Sequence, residues 1–290
     1  VFEIPGVFDD CMKVVEHLAD NYHVALLNSK NAWRIQGQES YSFEVAQGFD
    51  YDLANKVVLV PIGNAGNITA VMGGFLKLLD LGVIDTPPKI IGVQSEHADP
   101  VYRYYREADP SKRIFRPVTV RPSVAQAAMI GNPVSMPRVI RLVEAYEKVP
   151  GSPGVFIVQV SEQEIMDCQL IANRNGHIAC TQGGECLAGL LRARQEGIVS
   201  DEEVAVLDAT AHALKFAGFQ ERYFGDSLNG AYEIVPRDEL RNFPTLIEAP
   251  GVVRLPAPGK PLLEDEFQKF VEATAREIAR KLDLKEKGAG

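Results

Sequence analysis

The stretch Val57-Val58-Leu59-Val60-Pro61-Ile62-Gly63-Asn64-Ala65-Gly66-Asn67-Ile68-Thr69-Ala70 carries the strongest chemical signal in the chain. An apolar, β-branched run enters a glycine-containing turn and passes straight into a helical pattern. That order aims several backbone N–H groups and the positive end of a helix dipole at one point. Glycine at 63 and 66 would let the backbone wrap an anion closely, and the Asn64 and Asn67 side chains could add donors. The stretch fits neither G-x-G-x-x-G nor G-x-x-x-x-G-K-[ST], which disfavours a dinucleotide fold or an ATPase loop. An ordinary strand-to-helix turn remains the plain alternative.

Three further clusters stand near the ends of other apolar runs. Asn28-Ser29-Lys30-Asn31-Ala32-Trp33-Arg34-Ile35-Gln36-Gly37-Gln38 follows the Val24 run and places an Arg among Asn and Ser, a set suited to a phosphate or carboxylate, or else a solvated loop and helix start. Asp208-Ala209-Thr210-Ala211-His212-Ala213-Leu214-Lys215-Phe216 follows the Val204 run; a lone His there is more often structural than catalytic. Gly183-Gly184-Glu185-Cys186-Leu187-Ala188-Gly189-Leu190 opens a helix with small residues, which close packing explains as well as function does. Cys11, Cys168, Cys180 and Cys186 have neither zinc-site nor disulfide-scaffold spacing, so reduced thiols, a cytoplasmic setting and no metal site are expected.

The elements that must hold these clusters alternate in the manner of a mainly parallel sheet flanked by helices, an α/β fold. Strands are predicted at Val24–Asn28, Lys56–Ile62, Lys89–Ser95, Val155–Val160 and Val204–Leu207. Asp9 or Asp10 would cap a helix whose Met12, Val15, Leu18, Ala19 and Tyr22 share a face. Gly82 would stop the Ile68–Leu81 helix. Ser161-x-x-Glu164 is a capping box for a helix that Gly176 ends. From about Pro236 the chain turns Pro-rich, and a last helix is predicted from Glu264, with Phe267, Phe270, Val271, Ala275, Ile278 and Leu282 on one face. The chain has 290 residues, 30 Lys and Arg against 39 Asp and Glu, and a net charge of −9. A chain this acidic is a poor partner for nucleic acid or an anionic membrane, so a bound anion needs a local site. No uninterrupted apolar run reaches membrane-spanning length.

Taken in this order, the clusters resemble the threonine synthase family, pyridoxal 5'-phosphate (PLP) enzymes of fold type II with a tryptophan synthase β-like large domain. The similarity runs through Phe8-Asp9-Asp10, Asn28-Ser29-x-Asn31-x-x-Arg34-x-x-Gly37-Gln38, the Gly63 to Asn67 loop, Gly92-Val93-Gln94-x-Glu96, Ile130-Gly131-Asn132-Pro133, Ser161-x-x-Glu164-Ile165 and Thr210-Ala211-His212-Ala213-Leu214-Lys215. The loop Cys180-Thr181-Gln182-Gly183-Gly184-Glu185 departs from the family's acidic-Pro-x-x-Ala-Ala pattern.

The resemblance implies that Gly63, Asn64, Ala65, Gly66 and Asn67 hold the PLP phosphate and that Thr210 meets the pyridine nitrogen. It implies that Asn28 and Arg34 hold the phosphate of O-phosphohomoserine, Arg34 as a buried, paired cation. It further implies a homodimer and a reaction giving threonine and phosphate. Residues 1–27 would end the smaller domain, 28–235 would form the large PLP-binding domain, and 236–290 would be a tail. The family's cofactor lysine lies in a Ser-Phe-Lys-Asp type motif that this sequence lacks; the resemblance places it upstream of Val1. Threonine dehydratase, cysteate synthase and a non-catalytic binding subunit stand as alternatives. Arg34 and Asn28 discriminate against the first two, which need no site for that phosphate.

Overall fold

The computed structural model describes residues 2–285 and Lys287; Val1, Glu286 and residues 288–290 at the ends of the expected first and last segments lie outside the described residues. In chain order the elements are α1 (Phe8–Asn21), α2 (Ala32–Gln38), α3 (Ser40–Gly48), β1 (Lys56–Pro61), α4 (Gly66–Asp80), β2 (Lys89–Ser95), α5 (Pro100–Tyr105) and α6 (Met136–Glu147). They continue with β3 (Val155–Val160), α7 (Glu162–Arg174), α8 (Thr181–Gln195), β4 (Val204–Leu207), α9 (Ala217–Phe224) and α10 (Glu264–Lys281). Residues 1–241 make one compact unit and residues 242–290 another.

The four strands pair in parallel in the order β3-β2-β1-β4. Val57 to Val60 have no exposed surface, as expected of a strand buried on both faces rather than one that alternates with solvent. Val57 and Leu59 pack on the α7 and α8 side, with Ile165, Cys186 and Ala188. Val58, Val60 and Ile62 pack on the α4 and α6 side, with Val71, Phe75 and Val139. The period of two along β1 therefore divides the core into one layer on each face of the sheet. Close approach of α8 to the sheet depends on Gly189, where a Cβ would come within 2.4 Å of Val93. The small residues at the start of α8 serve packing in the same way, since a Cβ on Gly184 would meet Ile165 O at 2.5 Å.

One expected strand is absent. Val24 to Leu27 belong to no helix or strand and join no ladder among the described residues, Val24 and Leu27 are exposed, and the Leu26 carbonyl accepts instead from Asn31 Nδ2 at 2.9 Å. β-Branched composition makes a strand only where a partner edge receives it, and none is offered here. At α1 the cap is Val7 rather than Asp9 or Asp10: Asp10 Oδ2 accepts the Val7 N–H at 3.1 Å, while Asp9 Oδ2 reaches out to the Gly131 N–H at 3.2 Å. Of its expected apolar face only Met12 is buried. The α7 capping box forms as read, with Glu164 N–H on Ser161 Oγ at 3.2 Å and Ser161 N–H on Glu164 Oε2 at 2.7 Å.

The second unit carries α10, whose first turn is acidic, with Glu264, Asp265 and Glu266, and whose last turn is basic, with Arg280 and Lys281, matching the helix dipole at both ends. Phe267 and Phe270 stack at 6.4 Å between ring centroids. Among the described residues no helix is long and apolar enough to cross a membrane.

Candidate functional site

The sheet order creates a crevice before any side chain is considered. From β1 the chain steps outward to β2 and β3, then returns to place β4 on the other side of β1. The carboxyl ends of β1 and β4 therefore flank a switch point, where open parallel sheets leave room for a ligand. A cleft of about 440 Å³ opens there. Its lining includes Gly63, Asn64, Ala65, Gly66 and Asn67 after β1, Asp208, Thr210 and Lys215 after β4, and Ser29, Arg34 and Gln38 from α2 and the turn before it.

Between β1 and α4 the backbone turns on a left-handed residue, Ala65 at φ 60°, which is the N-cap of α4. Among the described residues the backbone N–H groups of Gly63, Asn64, Ala65, Gly66 and Asn67 donate to no protein acceptor. Buried N–H groups are rarely left unpaired, and successive donors around a left-handed residue make an anion-binding concavity. The glycines work differently from the expectation that they make room for the anion. A Cβ on Gly63 would lie 2.9 Å from Ala127 O and one on Gly66 would lie 2.8 Å from Ile35 Cδ1, so they let the loop seat against neighbouring protein. Asn64 braces the loop, its Oδ1 accepting the Val134 N–H at 3.0 Å and its own carbonyl the Ser135 N–H at 3.3 Å. The Asn64 Nδ2 group stays buried without a partner among the described residues.

Asp208 has the central structural part here, which its sequence position alone did not disclose. One carboxylate oxygen accepts from Asn67 Nδ2 and the other from the Thr210 N–H at 3.1 Å, so a single acid ties the β1 loop to the β4 loop. Burial raises its pKa, and those two donors oppose the shift. Thr210 is held at φ 36°, a conformation that a β-branched residue seldom takes. An antiparallel bridge from Ala179 to His212 and a Cys180 N–H bond to Ala211 O at 3.3 Å fix the same loop. Cys180 Sγ lies 3.7 Å from Thr210 Oγ1. His212 takes the structural role expected of it, its Nδ1 accepting the Leu214 N–H at 3.1 Å.

Arg34 and Asn28 separate. The guanidinium lines the cleft and donates to Ser29 Oγ at 2.7 Å, but the side chain is exposed, not the buried cation expected. A short helix at the rim, capped by Asn31 accepting the Trp33 N–H at 2.9 Å, gives it no cover. Asn28 does not line the cleft; its Nδ2 points to Met12 Sδ at 3.1 Å and its Oδ1 accepts the Lys30 N–H at 3.0 Å. In the loop that departs from the family pattern, Gln182 reaches the cleft with both amide atoms buried and unpaired among the described residues. Lys215 also lines the cleft, its ammonium 5.4 Å from the Phe216 ring centroid.

Behind the cleft, Glu185 of α8 is fully buried and neither carboxylate oxygen makes a hydrogen bond of normal geometry. Burial raises its pKa well above the carboxylate range, with Glu162 adding to the effect and only the backbone N–H of Ser95 opposing it. Glu162 is better served, accepting from Ser95 Oγ and, at 2.6 Å, from the Val124 N–H, so of the two acids Glu185 retains the proton.

Comparison with known proteins adds four findings. The family described as pyridoxal-phosphate dependent enzyme matches residues 1–209. A threonine synthase from Methanocaldococcus jannaschii is 33% identical over 216 residues, 74% of this chain and 51% of that protein. A chloroplastic threonine synthase 2 of Arabidopsis thaliana is 32% identical over 216 residues, again 74% of this chain but 40% of that protein. The chain thus spans about half or less of the length of these relatives. The crystal structure of threonine synthase from Escherichia coli superposes with a TM-score of 0.58 at 20% identity, covering 74% of this chain and 48% of that one, which establishes the common fold.

Proposed function

The chain belongs to the pyridoxal-phosphate-dependent enzyme family, and from that premise we propose that it forms the phosphate-binding part of a threonine synthase, whose whole reaction takes O-phosphohomoserine and water to threonine and phosphate. The observation that carries the reading is the row of unpaired N–H groups from Gly63 to Asn67 opening on the same cleft as the Arg34 guanidinium. The donor set suits PLP: free amides and a helix N-terminus for its phosphate, the buried Asn64 Nδ2 and Gln182 amide for further polar contacts, and the Thr210 hydroxyl for the ring nitrogen. When bound, PLP supplies the electron sink for carbanion chemistry on the amino-acid substrate.

The residues of this chain then bind and orient. Gly63 to Asn67 neutralise the cofactor phosphate with dipoles rather than cations, which keeps the Arg34 cation for the substrate. Thr210 offers a hydroxyl, which cannot hold a full proton on the ring nitrogen as a carboxylate would, so the sink stays moderate. Asp208 keeps the two loops in register. Ser29 fixes the Arg34 guanidinium, and Asn28 shapes the turn that carries both. The family's cofactor lysine belongs, in this reading, to a segment outside residues 1–290, and Lys215 is a cleft-lining cation. The reading carries with it a small-molecule substrate, no nucleic-acid partner, a homodimer and a cytoplasmic setting.

Titration of the chain with PLP, followed by borohydride reduction and peptide mapping, tests it. Saturable binding without stoichiometric labelling of one lysine is expected. Absence of saturable binding would refute the cradle, and clean labelling of Lys215 or Lys30 would refute the placement of the lysine.

A further inference from the structure

Away from the cleft, Glu96 and His97 follow the carboxyl end of β2, and Glu233 lies in the segment after α9. One ligand atom from each falls within 4.8 Å of the others. None of the three lines the cleft. Two acids and a histidine near one another do not make a metal site, and the decisive observation is the orientation of the imidazole.

His97 is 2% exposed, and its Nδ1 lies 2.6 Å from the Pro122 carbonyl oxygen, which can only accept. Nδ1 therefore carries the hydrogen, and in the neutral ring Nε2 presents a lone pair. That nitrogen has no hydrogen-bond partner among the described residues and faces Glu233 Oε2 at 3.8 Å. Two lone-pair atoms that face one another at this distance repel unless a proton or a cation stands between them. The surroundings suit a cation. A backbone carbonyl on the far ring nitrogen is the usual second partner of a metal-binding histidine. Arg121 Nη1 binds Glu233 Oε1 at 2.6 Å, which orients the carboxylate and leaves Oε2 turned to the imidazole. Glu233 itself is exposed, so its carboxylate stays in contact with solvent.

We propose that Glu96, His97 and Glu233 bind one divalent first-row transition-metal cation, of which Zn²⁺ is the natural case, clamping the Glu233 turn to the end of β2. One imidazole and two carboxylates, with solvent completing the shell, form a donor set for Zn²⁺, Mn²⁺ or Co²⁺ rather than for the all-oxygen shells of Mg²⁺ or Ca²⁺. Bonds of about 2.0–2.1 Å require ligand atoms roughly 3.3 Å apart, so from separations of at most 4.8 Å the carboxylates must close in by up to about 1.5 Å, and the exposed Glu233, already 3.8 Å from His97 Nε2, by about 0.5 Å.

Metal-free chain is titrated with Zn²⁺ by calorimetry and with Co²⁺ by visible absorption, with circular dichroism confirming that each variant is folded. One equivalent should bind, with no thiolate-to-cobalt charge-transfer band that would point to the cysteines. Glu233→Gln and Glu96→Gln, both near the surface, should each weaken binding at least about tenfold, the lower limit for loss of even an outer partner. His97→Gln should do the same if it folds. Saturating Zn²⁺ should raise the melting temperature of the parent chain and not of Glu233→Gln. No binding of either metal would mean that a proton occupies the gap and would overturn the proposal. So would binding that the glutamate variants leave unchanged, or binding of Mg²⁺ or Ca²⁺ alone.

Discussion

Replacing Arg34 with Ala separates phosphate recognition from every other duty the α2 segment has. The guanidinium is fastened at one end to Ser29 Oγ at 2.7 Å and is otherwise exposed at the rim of the cleft. A fully buried ion pair would cost about 3–5 kcal/mol to break, but solvent at this rim screens the charge. A charge-assisted hydrogen bond to a phosphate held partly in water is worth about 1.5–3 kcal/mol. At 1.36 kcal/mol per tenfold, kcat/KM for O-phosphohomoserine in the active enzyme should fall roughly 10- to 150-fold. Deamination of serine or threonine, substrates without that phosphate, should change by less than about threefold. The assays are phosphate release for the first reaction and oxo-acid formation for the second. Equal losses in both would mean that Arg34 serves the fold or the amino-acid end of the substrate, and the case for a threonine synthase over a dehydratase would lose its discriminator.

Two further outcomes concern the buried acids. Glu185 keeps its proton in the fold but ionises above about pH 4.3 when unfolded, so its contribution is fully present below that value and is lost as pH rises toward its raised folded pKa. Chemical denaturation between pH 5 and 7 should show stability falling as pH rises, with at most about 1.4 kcal/mol per pH unit coming from this group, and Glu185→Gln should remove its share of the slope; an unchanged slope would place an ionised Glu185 in the core. Tyr223 OH donates to Asp167 Oδ1 at 2.7 Å and accepts the Arg237 N–H at 2.9 Å, so Tyr223→Phe should lower stability by about 1–3 kcal/mol in the same assay, and a loss below about 0.5 kcal/mol would contradict the linkage.

Why some of this was readable in advance and some was not follows from the residues themselves. The β1 run is apolar at every position because both faces are covered, and its ending in Gly63-Asn64-Ala65-Gly66-Asn67 announced a turn into a helix N-terminus; local composition determined both. Ser161 and Glu164 form their box within four residues and need nothing distant. Val24 to Leu27 look like a strand for the same local reasons, yet whether they become one depends on a partner edge that local composition does not encode. Exposure was equally out of reach. Arg34 stands in a cluster that suits phosphate, but only the shortness of α2 and its place at the rim leave the guanidinium in solvent. Asp208 and Asn67 meet across 141 positions, and Glu233 comes beside His97 from the far side of α9. An acid after a strand is common, and nothing in its neighbours says which loop it will tie.

The amides of Gly63 to Asn67, the proposed seat of the cofactor phosphate, can be watched directly. Backbone ¹H–¹⁵N spectra of the labelled chain, recorded through a titration with PLP, should show saturable shifts centred on Gly63, Asn64, Ala65, Gly66 and Asn67, with Thr210 moving at the same ligand concentration. Inorganic phosphate should move the first five and spare Thr210. Shifts that centre on another region of the chain, or five amides that stay still while PLP saturates its site, would contradict the account.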